Sequence, residues 1–218
     1  MFDVTMTFDN GPDPEITPFV LDALKERDIR ASFFVVGQQL EAPGAIKAVA
    51  RAHAEGHWIG NHTYTHSTPL GERPETRVVE EEIIRTHELI KPFMTGPKLF
   101  RPFGYGGSVG KHLLSRAVRD YLLEHEYTCV LWNSLPRDWE NHEAWDAVAL
   151  QQCRSQDWSV VVVHDFPFGN AIERLPHFLD AVLKHGGRFR QDFPVSCTPI
   201  RGGAPTVDIN HIVSDLVA

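Results

Sequence analysis

The sequence predicts an α/β protein in which helices cover a mostly parallel sheet, and three observations support this fold class. Segments of strand-like and helix-like periodicity alternate about seven times along the chain. This alternation favours parallel strands with helices outside, and it fits an open sheet and a closed barrel equally well. Hydrophobic residues make up 42% of the 218 residues, which is enough to bury a core. The composition does not change along the chain, so we expect a single domain over residues 1–218.

The first predicted strand covers residues 2–8, where apolar and polar side chains alternate. A Gly-Pro turn follows, and a Thr-Pro pair at Thr17 predicts the cap of a helix that runs to Arg27. Asp9 and Asn10 therefore lie where a strand turns toward a helix, which is where functional residues collect in α/β folds. An Asn-Gly pair is also a common turn former, so this stretch alone has a simpler explanation.

The remaining elements alternate in the same way. The apolar run 160–163 is typical of a parallel strand covered on both faces. The acidic run 80–82 is most simply the solvated face of its helix. Residues 202–218 form a C-terminal tail for which the sequence predicts no structure. The further predicted strands are residues 31–36, 58–60, 98–101, 127–132, 159–164 and 189–195, and the helices between them are residues 46–55, 75–91, 111–125, 142–156 and 172–185.

Charge and composition exclude several classes of function. Lys and Arg total 21 against 29 Asp and Glu, giving a net charge of −8, and no basic run occurs, so we expect no nucleic-acid partner. No apolar run approaches the roughly 18 residues of a membrane span. The three widely spaced cysteines predict buried or free thiols rather than disulfides. Without a recognisable leader after Met1, we expect a cytoplasmic protein. The sequence does not indicate the oligomeric state.

Polar side chains follow the carboxyl ends of the predicted strands, and in a repeating βα fold these ends share one face. His62 and His66 are four residues apart, a spacing that lets two imidazoles face one metal ion. With 12 His in the chain such a pair also arises by chance. A third ligand is needed, for which Asp9 and Asn10 are the candidates. The whole set at the strand ends is Asp9, Asn10, Asn61, His62, His66, Arg101, Asp138, Trp139, His164 and Asp165.

Five ordered motifs span nearly the whole chain. They are Thr7-Phe8-Asp9-Asn10-Gly11-Pro12, Gly60-Asn61-His62 with His66, Phe100-Arg101-Pro102, Asp138-Trp139 and Val162-Val163-His164-Asp165. In residues and order they resemble the motifs of the NodB-type polysaccharide deacetylases, carbohydrate esterase family four. The resemblance implies a distorted (β/α)7 barrel of parallel strands with outer helices. It also implies hydrolysis of a C–N bond assisted by a divalent metal, for which we expect Zn²⁺.

The resemblance further implies roles for individual residues. Asp9 would be the general base that takes a proton from the attacking water, and Arg101 would pair with Asp9 and keep it ionised. His164 would be the general acid that protonates the departing amine, with Asp138 raising its pKa and fixing its orientation. The other implied site residues are the metal ligands His62, His66 and Asn10 and the substrate-binding residues Trp139, Phe103, Gly104 and Tyr105.

The chain departs from the family pattern at two places. The family has Asp-Asp in the first motif and uses the second Asp as the third metal ligand, whereas this chain has Asn10. An amide oxygen can ligate a metal but brings no negative charge, so we expect the metal to be weakly bound or absent. After Arg101 the family continues Pro-Pro-Tyr-Gly, whereas this chain has Pro-Phe-Gly-Tyr. The backbone N–H of the oxyanion hole falls near Gly104, where glycine adds backbone freedom.

Three functions follow from these residues. The first is metal-assisted deacetylation of an N-acetylated sugar or oligosaccharide. The second is metal-independent hydrolysis of a cyclic or ureido amide, as in allantoinase-like enzymes, which loss of the ligand Asp would fit although both histidines are retained. The third is a carbohydrate-binding pseudoenzyme. The intact set of Asp9, Arg101, Asp138 and His164 argues against the third, since a binding site needs no base and acid.

Overall fold

The computed structural model describes residues 1–217. Within this range the strands are β1 (Phe2–Asp9), β2 (Ser32–Val35), β3 (Trp58–Asn61), β4 (Leu99–Phe100), β5 (Thr128–Cys129), β6 (Trp158–His164), β7 (Gly187–Arg190), β8 (Ile200–Arg201) and β9 (Ala204–Pro205). They form one sheet in the order β6-β1-β2-β3-β4-β5-β8-β9, and β7 also pairs with β1. Strands β1 to β7 pair in parallel, whereas β8 and β9 form antiparallel pairs.

Strand β1 lies at the centre of the fold and has different neighbours along its length. Residues 7–9 pair with β2, whereas residues 2–5 pair with β7. On its other side β6 pairs along nearly the whole strand and places His164 beside Asp9. The carboxyl end of β1 is therefore enclosed by β2 and β6, which fixes the position of the residues that follow both strands.

The helices pack outside the sheet. The largest apolar cluster joins β1 and β6 to five of the six helices, and its side chains include Phe8, Val163, Leu21, Trp145 and Phe178. Each large apolar side chain buried in this way contributes about 1.5–3 kcal/mol. The helices are α1 (Ile16–Lys25), α2 (Ala45–Ala54), α3 (Arg85–Ile90), α4 (Arg116–Glu124), α5 (Trp145–Arg154) and α6 (Leu175–Lys184).

The cap of α1 differs from the predicted one. Asp13 lies before the helix, and its Oδ1 accepts the N–H groups of Glu15 at 2.8 Å and Ile16 at 2.9 Å. Thr17, the predicted cap, lies inside the first turn, where its hydroxyl donates to Asp165 Oδ2 at 2.5 Å. The side chain of Thr17, which the sequence pattern assigned to the helix cap, therefore makes a long-range hydrogen bond to Asp165 instead.

The helix predicted over residues 75–91 is shorter and less regular. A π-helix, Val79–Ile84, precedes α3. A 3₁₀ turn, Lys91–Phe93, follows α3 and contains Pro92. π turns inside helices are frequently found at functional sites. This one places Glu82 in the interior, with 4% of its surface exposed, so the prediction of a solvated acidic face is wrong at this residue.

A single parallel bridge between Ser134 and Val161 closes the barrel. The Ser134 N–H donates to the Val160 carbonyl at 3.2 Å, and the Ser134 carbonyl accepts the Val162 N–H at 3.1 Å. The segment after β5 is thereby joined to β6, which lies at the other end of the strand order. The expected distorted (β/α)7 barrel is confirmed.

The predicted tail contains structure at two places. β8 and β9 form a short antiparallel hairpin beside β5, and Val213 bridges to Leu114. All three cysteines are buried and free, as the spacing predicts. Among residues 1–217, no helix has the length and apolar character needed to cross a membrane.

Candidate active site

One open cleft of about 200 Å³ lies at the carboxyl ends of the strands. Arg101 and Asp138 lie directly behind its wall, each hydrogen-bonded to a lining residue. Tyr105 lies outside the lining, half-exposed, with its ring edge against Phe103. The predicted site residues that line the cleft are Asp9, Asn10, His62, His66, Phe103, Gly104, Trp139 and His164.

Asp9 and Arg101 form a buried ion pair at the base of the cleft. The Arg101 Nη1 donates to Asp9 Oδ1 at 2.7 Å and to the Thr7 hydroxyl at 2.7 Å. The Arg101 guanidinium is fully buried and lies over the ring of Phe34, 4.1 Å from its centroid. Because one carboxylate oxygen of Asp9 is held by the guanidinium, Oδ2 is the oxygen able to accept a proton.

His62 and His66 face one another in the loop of residues 62–66, which we call the histidine loop. Their ring centroids are 4.9 Å apart. The His62 Nδ1–H donates to the Arg101 carbonyl at 2.8 Å, so Nε2 carries the lone pair. Asp9 Oδ2 is 3.7 Å from that Nε2, too far for a hydrogen bond. Thr63 and His66 both have positive φ, at 67° and 50°, which winds the loop tightly.

Both imidazoles of the histidine loop are neutral. Burial lowers the pKa of His62 to about 3, and the nearby Arg101 charge acts in the same direction. Burial also lowers the pKa of His66 to about 3, with His62 adding to the effect. A neutral imidazole has a free lone pair, which is the form that binds a metal.

Asn10 supplies the third donor of a possible metal site. It adopts φ 71°, a left-handed conformation that Asn tolerates, and it lines the same cleft as the two histidines. Its Oδ1 is buried and has no hydrogen-bond partner among residues 1–217. An unsatisfied buried acceptor costs about 1–3 kcal/mol, and a bound cation would satisfy it. Two imidazole nitrogens and one amide oxygen fit a divalent metal such as Zn²⁺.

The amide of Asn10 sets this group of donors apart from the usual metal sites built of His, Cys, Asp and Glu. Residues 1–217 contain no group of three or more His, Cys, Asp or Glu side chains arranged to hold a metal. The group formed by His62, His66 and Asn10 has only two such residues, because its third member is an amide. The three donors of this group therefore include no carboxylate.

His164 and Asp138 form a second hydrogen-bonded pair on another wall of the cleft. Asp138 Oδ1 accepts the His164 Nδ1–H at 2.8 Å, and Oδ2 accepts its backbone N–H at 2.9 Å. Burial opposes the charged imidazole, but the Asp138 charge and hydrogen bond outweigh it, with Asp9 and Asp165 adding, and the pKa of His164 is raised. The ring is held between Trp139 and Phe168, both edge-on at 5.2 and 5.3 Å.

The segment after Arg101 lines the cleft and carries backbone N–H groups without a hydrogen-bond partner among residues 1–217. Within residues 1–217 the N–H groups of Phe103 and Gly104 donate no hydrogen bond. Gly104 has an extended backbone, φ −132°, so it does not need the freedom of glycine. A Cβ there would instead lie 2.9 Å from the Ser108 carbonyl oxygen, which shows that glycine is required for close packing. Close packing around Gly104 therefore holds these backbone N–H groups in place.

Trp132 and Leu135 were not predicted from the sequence as cleft residues. Together with Val162 and Phe168 they complete the apolar wall. The Trp132 indole N–H donates to the Gly107 carbonyl at 2.9 Å and so fixes the glycine-rich loop. An aromatic residue at the end of a predicted strand was the available signal, but periodicity does not tell which face of the strand it occupies.

Asp165 was in the predicted set but faces away from the cleft lining. It is buried and accepts the Thr17 hydroxyl. Burial raises the pKa of Asp165 to about 7, while the Thr17 hydrogen bond opposes the rise. A Cβ on Gly11 would lie within 2.3 Å of the Asp165 carboxyl group. Asp165 therefore packs beneath the turn that carries Asn10.

The fold and the cleft together define a barrel protein with a carboxylate–arginine pair, a histidine–carboxylate pair, and two neutral imidazoles beside an unpartnered amide oxygen. The sequence profile of the family described as "Polysaccharide deacetylase" matches residues 2–130. The chain belongs to this family, and the predicted class of polysaccharide deacetylase-like enzyme is confirmed at that level.

Individual relatives agree with the family match. The peptidoglycan-N-acetylglucosamine deacetylase of Bacillus cereus is 31% identical over 192 residues, which cover 86% of this chain and 66% of the relative. The chitooligosaccharide deacetylase of Rhizobium leguminosarum bv. phaseoli is 34% identical over 182 residues, covering 83% and 74%. The structure of a family 4 carbohydrate esterase from Streptomyces lividans, solved with acetate, superposes with a TM-score of 0.71 at 28% identity, covering 94% and 98%. The chain spans slightly less than two thirds of the first of these relatives.

Proposed function

We propose that the chain hydrolyses the N-acetyl group of an N-acetylated sugar or oligosaccharide, with a divalent metal bound by His62, His66 and Asn10. The observation that carries the proposal is the cleft itself, where an arginine-bound carboxylate and a protonatable imidazole flank these three donors. The related deacetylases that act on peptidoglycan and chitooligosaccharides support an acetylated amino sugar as the substrate class.

The chain's own residues can carry each proton transfer. Asp9 Oδ2 takes a proton from the attacking water, since Arg101 holds Oδ1 and leaves Oδ2 free to accept it. His164 donates a proton to the amide nitrogen as the C–N bond breaks, and Asp138 compensates the charged imidazole until then. The products are acetate and the free amine.

The remaining groups bind and orient the substrate. The free N–H groups of Phe103 and Gly104 would donate to the carbonyl oxygen as it gains negative charge. Trp139 and Phe168 form an apolar wall near His164 that suits an acetyl methyl group and excludes water. When bound, the divalent metal would polarise the acetyl carbonyl and make water a better nucleophile at neutral pH.

The test is acetate release from N-acetylated chitooligosaccharides by purified protein supplied with zinc. We expect Asp9→Asn and His164→Gln each to reduce kcat/KM by about 10²–10⁴-fold, the usual contribution of a general base or acid. His185→Gln, at an exposed histidine after α6, serves as the control. Native protein that releases no acetate at saturating zinc would contradict the proposal.

One observation favours a second candidate. The neutral Asn10 leaves the metal site without a carboxylate, which suits metal-independent hydrolysis of a cyclic or ureido amide. The same protein should therefore be assayed with a cyclic ureide in the presence of a strong chelator. Turnover under that condition, with no acetate release from the sugar, would establish the second candidate in place of the first.

A further inference from the structure

The side chain of Glu82 accepts hydrogen bonds from the backbone of the histidine loop, although Glu82 is 16 to 20 residues away in sequence. Its Oε2 accepts two consecutive N–H groups, those of Tyr64 at 3.0 Å and Thr65 at 2.9 Å. Its Oε1 accepts the Thr65 hydroxyl at 2.8 Å. Both carboxylate oxygens are therefore used, and three donors of the loop converge on a single buried side chain.

The histidine loop has a conformation that requires such support. Thr63 is β-branched and has φ 67°, a genuine outlier for its residue type, and His66 has φ 50°. Residues in this region persist only where the surrounding structure holds them in place. The Thr63 N–H donates to the Asn61 side chain at 3.0 Å, and the His66 N–H donates to the Thr63 hydroxyl at 3.2 Å. These local contacts leave the N–H groups of the two central residues to Glu82.

The other side of the loop is held by a different segment. The N–H groups of Gly37 and Gln38 donate to the carbonyls of Thr63 and Tyr64 at 3.0 and 2.9 Å. The carbonyl groups are thus held by the segment after β2, and the N–H groups by Glu82. The loop is fixed between the two, and the facing arrangement of the imidazole rings depends on both.

The charge of Glu82 is compensated in the interior. The Arg73 Nη1 lies 3.2 Å from Glu82 Oε1, and Arg73 also contacts Glu81 and Glu75 on the surface. Among residues 1–217, Glu82 makes no hydrogen bond to the imidazole of His62 or His66. Its effect on His62 and His66 must therefore pass through the backbone of the loop.

We propose that Glu82 is a positioning residue which sets the geometry of the histidine loop and thereby the affinity of the metal site. This inference rests on the proposed metal-binding role of His62 and His66. It assigns a function to a π-helical glutamate outside the five sequence motifs and outside the cleft lining.

The experiment compares Glu82→Gln and Glu82→Ala with Glu81→Ala. Glu81 is the matched control, because it lies on the same π-helix and binds the same Arg73 but makes no contact with the loop. Two quantities are measured: the zinc Kd by competition with a coloured chelator, and the hydrogen exchange of the Tyr64 and Thr65 amides in metal-free protein. Outer partners of metal ligands commonly change affinity by about 10–100-fold, so we expect about 10-fold weaker binding for Gln and about 100-fold for Ala.

The outcomes separate this inference from the proposed function. Weaker zinc binding and faster exchange in both Glu82 variants, with native values for Glu81→Ala, support the positioning role. Native zinc affinity and native exchange in Glu82→Gln overturn it, and this variant decides alone if Glu82→Ala does not fold. If native protein binds no zinc, the proposed metal site fails, and the exchange of the two amides then decides the positioning role by itself.

Discussion

The guanidinium of Arg101 lies 2.7 Å from the carboxylate of Asp9 in an interior that excludes solvent from the arginine completely. The pair joins the ends of β1 and β4 across the barrel. Breaking one member of a buried ion pair leaves an uncompensated charge, which is far more costly than losing a surface pair. Removing either partner alone should therefore destabilise the fold.

We predict that Arg101→Met lowers the free energy of unfolding by about 3–5 kcal/mol, because Asp9 is left buried without its partner. Urea denaturation followed by circular dichroism measures the change. Arg188→Met, which breaks an exposed pair with Asp3, is the control and should cost no more than about 1 kcal/mol. Adding Asp9→Asn to Arg101→Met should recover part of the loss. Equal losses at Arg101 and Arg188 would contradict the prediction.

We predict that Asn10→Asp tightens zinc binding by at least about tenfold, equivalent to about 1.4 kcal/mol. The aspartate adds a negative charge beside two neutral imidazoles, and it tolerates the left-handed backbone at this position. The zinc Kd of the two proteins, measured by chelator competition, gives the result. Asn210→Asp, in an exposed turn, provides a control for charge alone. An unchanged Kd in Asn10→Asp would remove Asn10 from the metal site.

We predict that Asp138→Asn moves the alkaline limb of the pH dependence of kcat/KM to lower pH. Asp138 raises the pKa of His164, and a general acid must carry its proton, so activity is lost as pH rises through that pKa. Removing the Asp138 charge lowers the pKa and brings the loss to lower pH. The pH–rate profile measures the shift.

The control for this shift is Asp146→Asn. Asp146 is also buried and also contacts a histidine, His177, but on the helices α5 and α6 and not in the cleft. We expect its alkaline limb to coincide with that of native protein. An unmoved limb in Asp138→Asn would show that His164 is not the group that titrates there.

We predict that Gly11→Ala destabilises the protein by about 1–3 kcal/mol, the usual cost of overpacking. Its Cβ would lie 2.2 Å from Asp165 Oδ2, and the side chain of Asp165 is buried and cannot move away freely. Thermal unfolding should show a lower Tm. Gly110→Ala is the comparison, since its Cβ would meet only the side chain of His112 at 3.3 Å. Combining Gly11→Ala with Asp165→Gly should restore most of the Tm, and failure to do so would place the cost elsewhere.

The alternation of the sequence predicted the strands that carry the site. β1 and β6 are the longest strands and lie close to their predicted bounds, because their apolar periodicity extends over many residues. The convergence of Asp9, His62 and His164 also followed from sequence, since parallel strands bring their carboxyl ends to one face. The catalytic and metal-binding roles of these residues stay predictions until the variants are measured.

Features that depend on distant contacts could not be predicted. The Ser134–Val161 bridge that closes the barrel involves too few residues to give a periodic signal. The burial of Glu82 results from a π turn, which helical periodicity does not distinguish from a regular helix. The Asp165 contact of Thr17 replaces a local cap by a long-range hydrogen bond. In each case a partner more than about 15 residues away decides the local structure.

The bridge that closes the barrel has a consequence for the chemistry. Asp138 comes four residues after Ser134, and His164 comes three residues after Val161, so the two halves of the histidine–carboxylate pair lie on opposite sides of this seam. Opening of the barrel at the seam would therefore separate the imidazole from its carboxylate. Two backbone hydrogen bonds at the bridge, together with the contacts of the Asn133 side chain to Trp158 and Val160, thus also hold His164 next to Asp138.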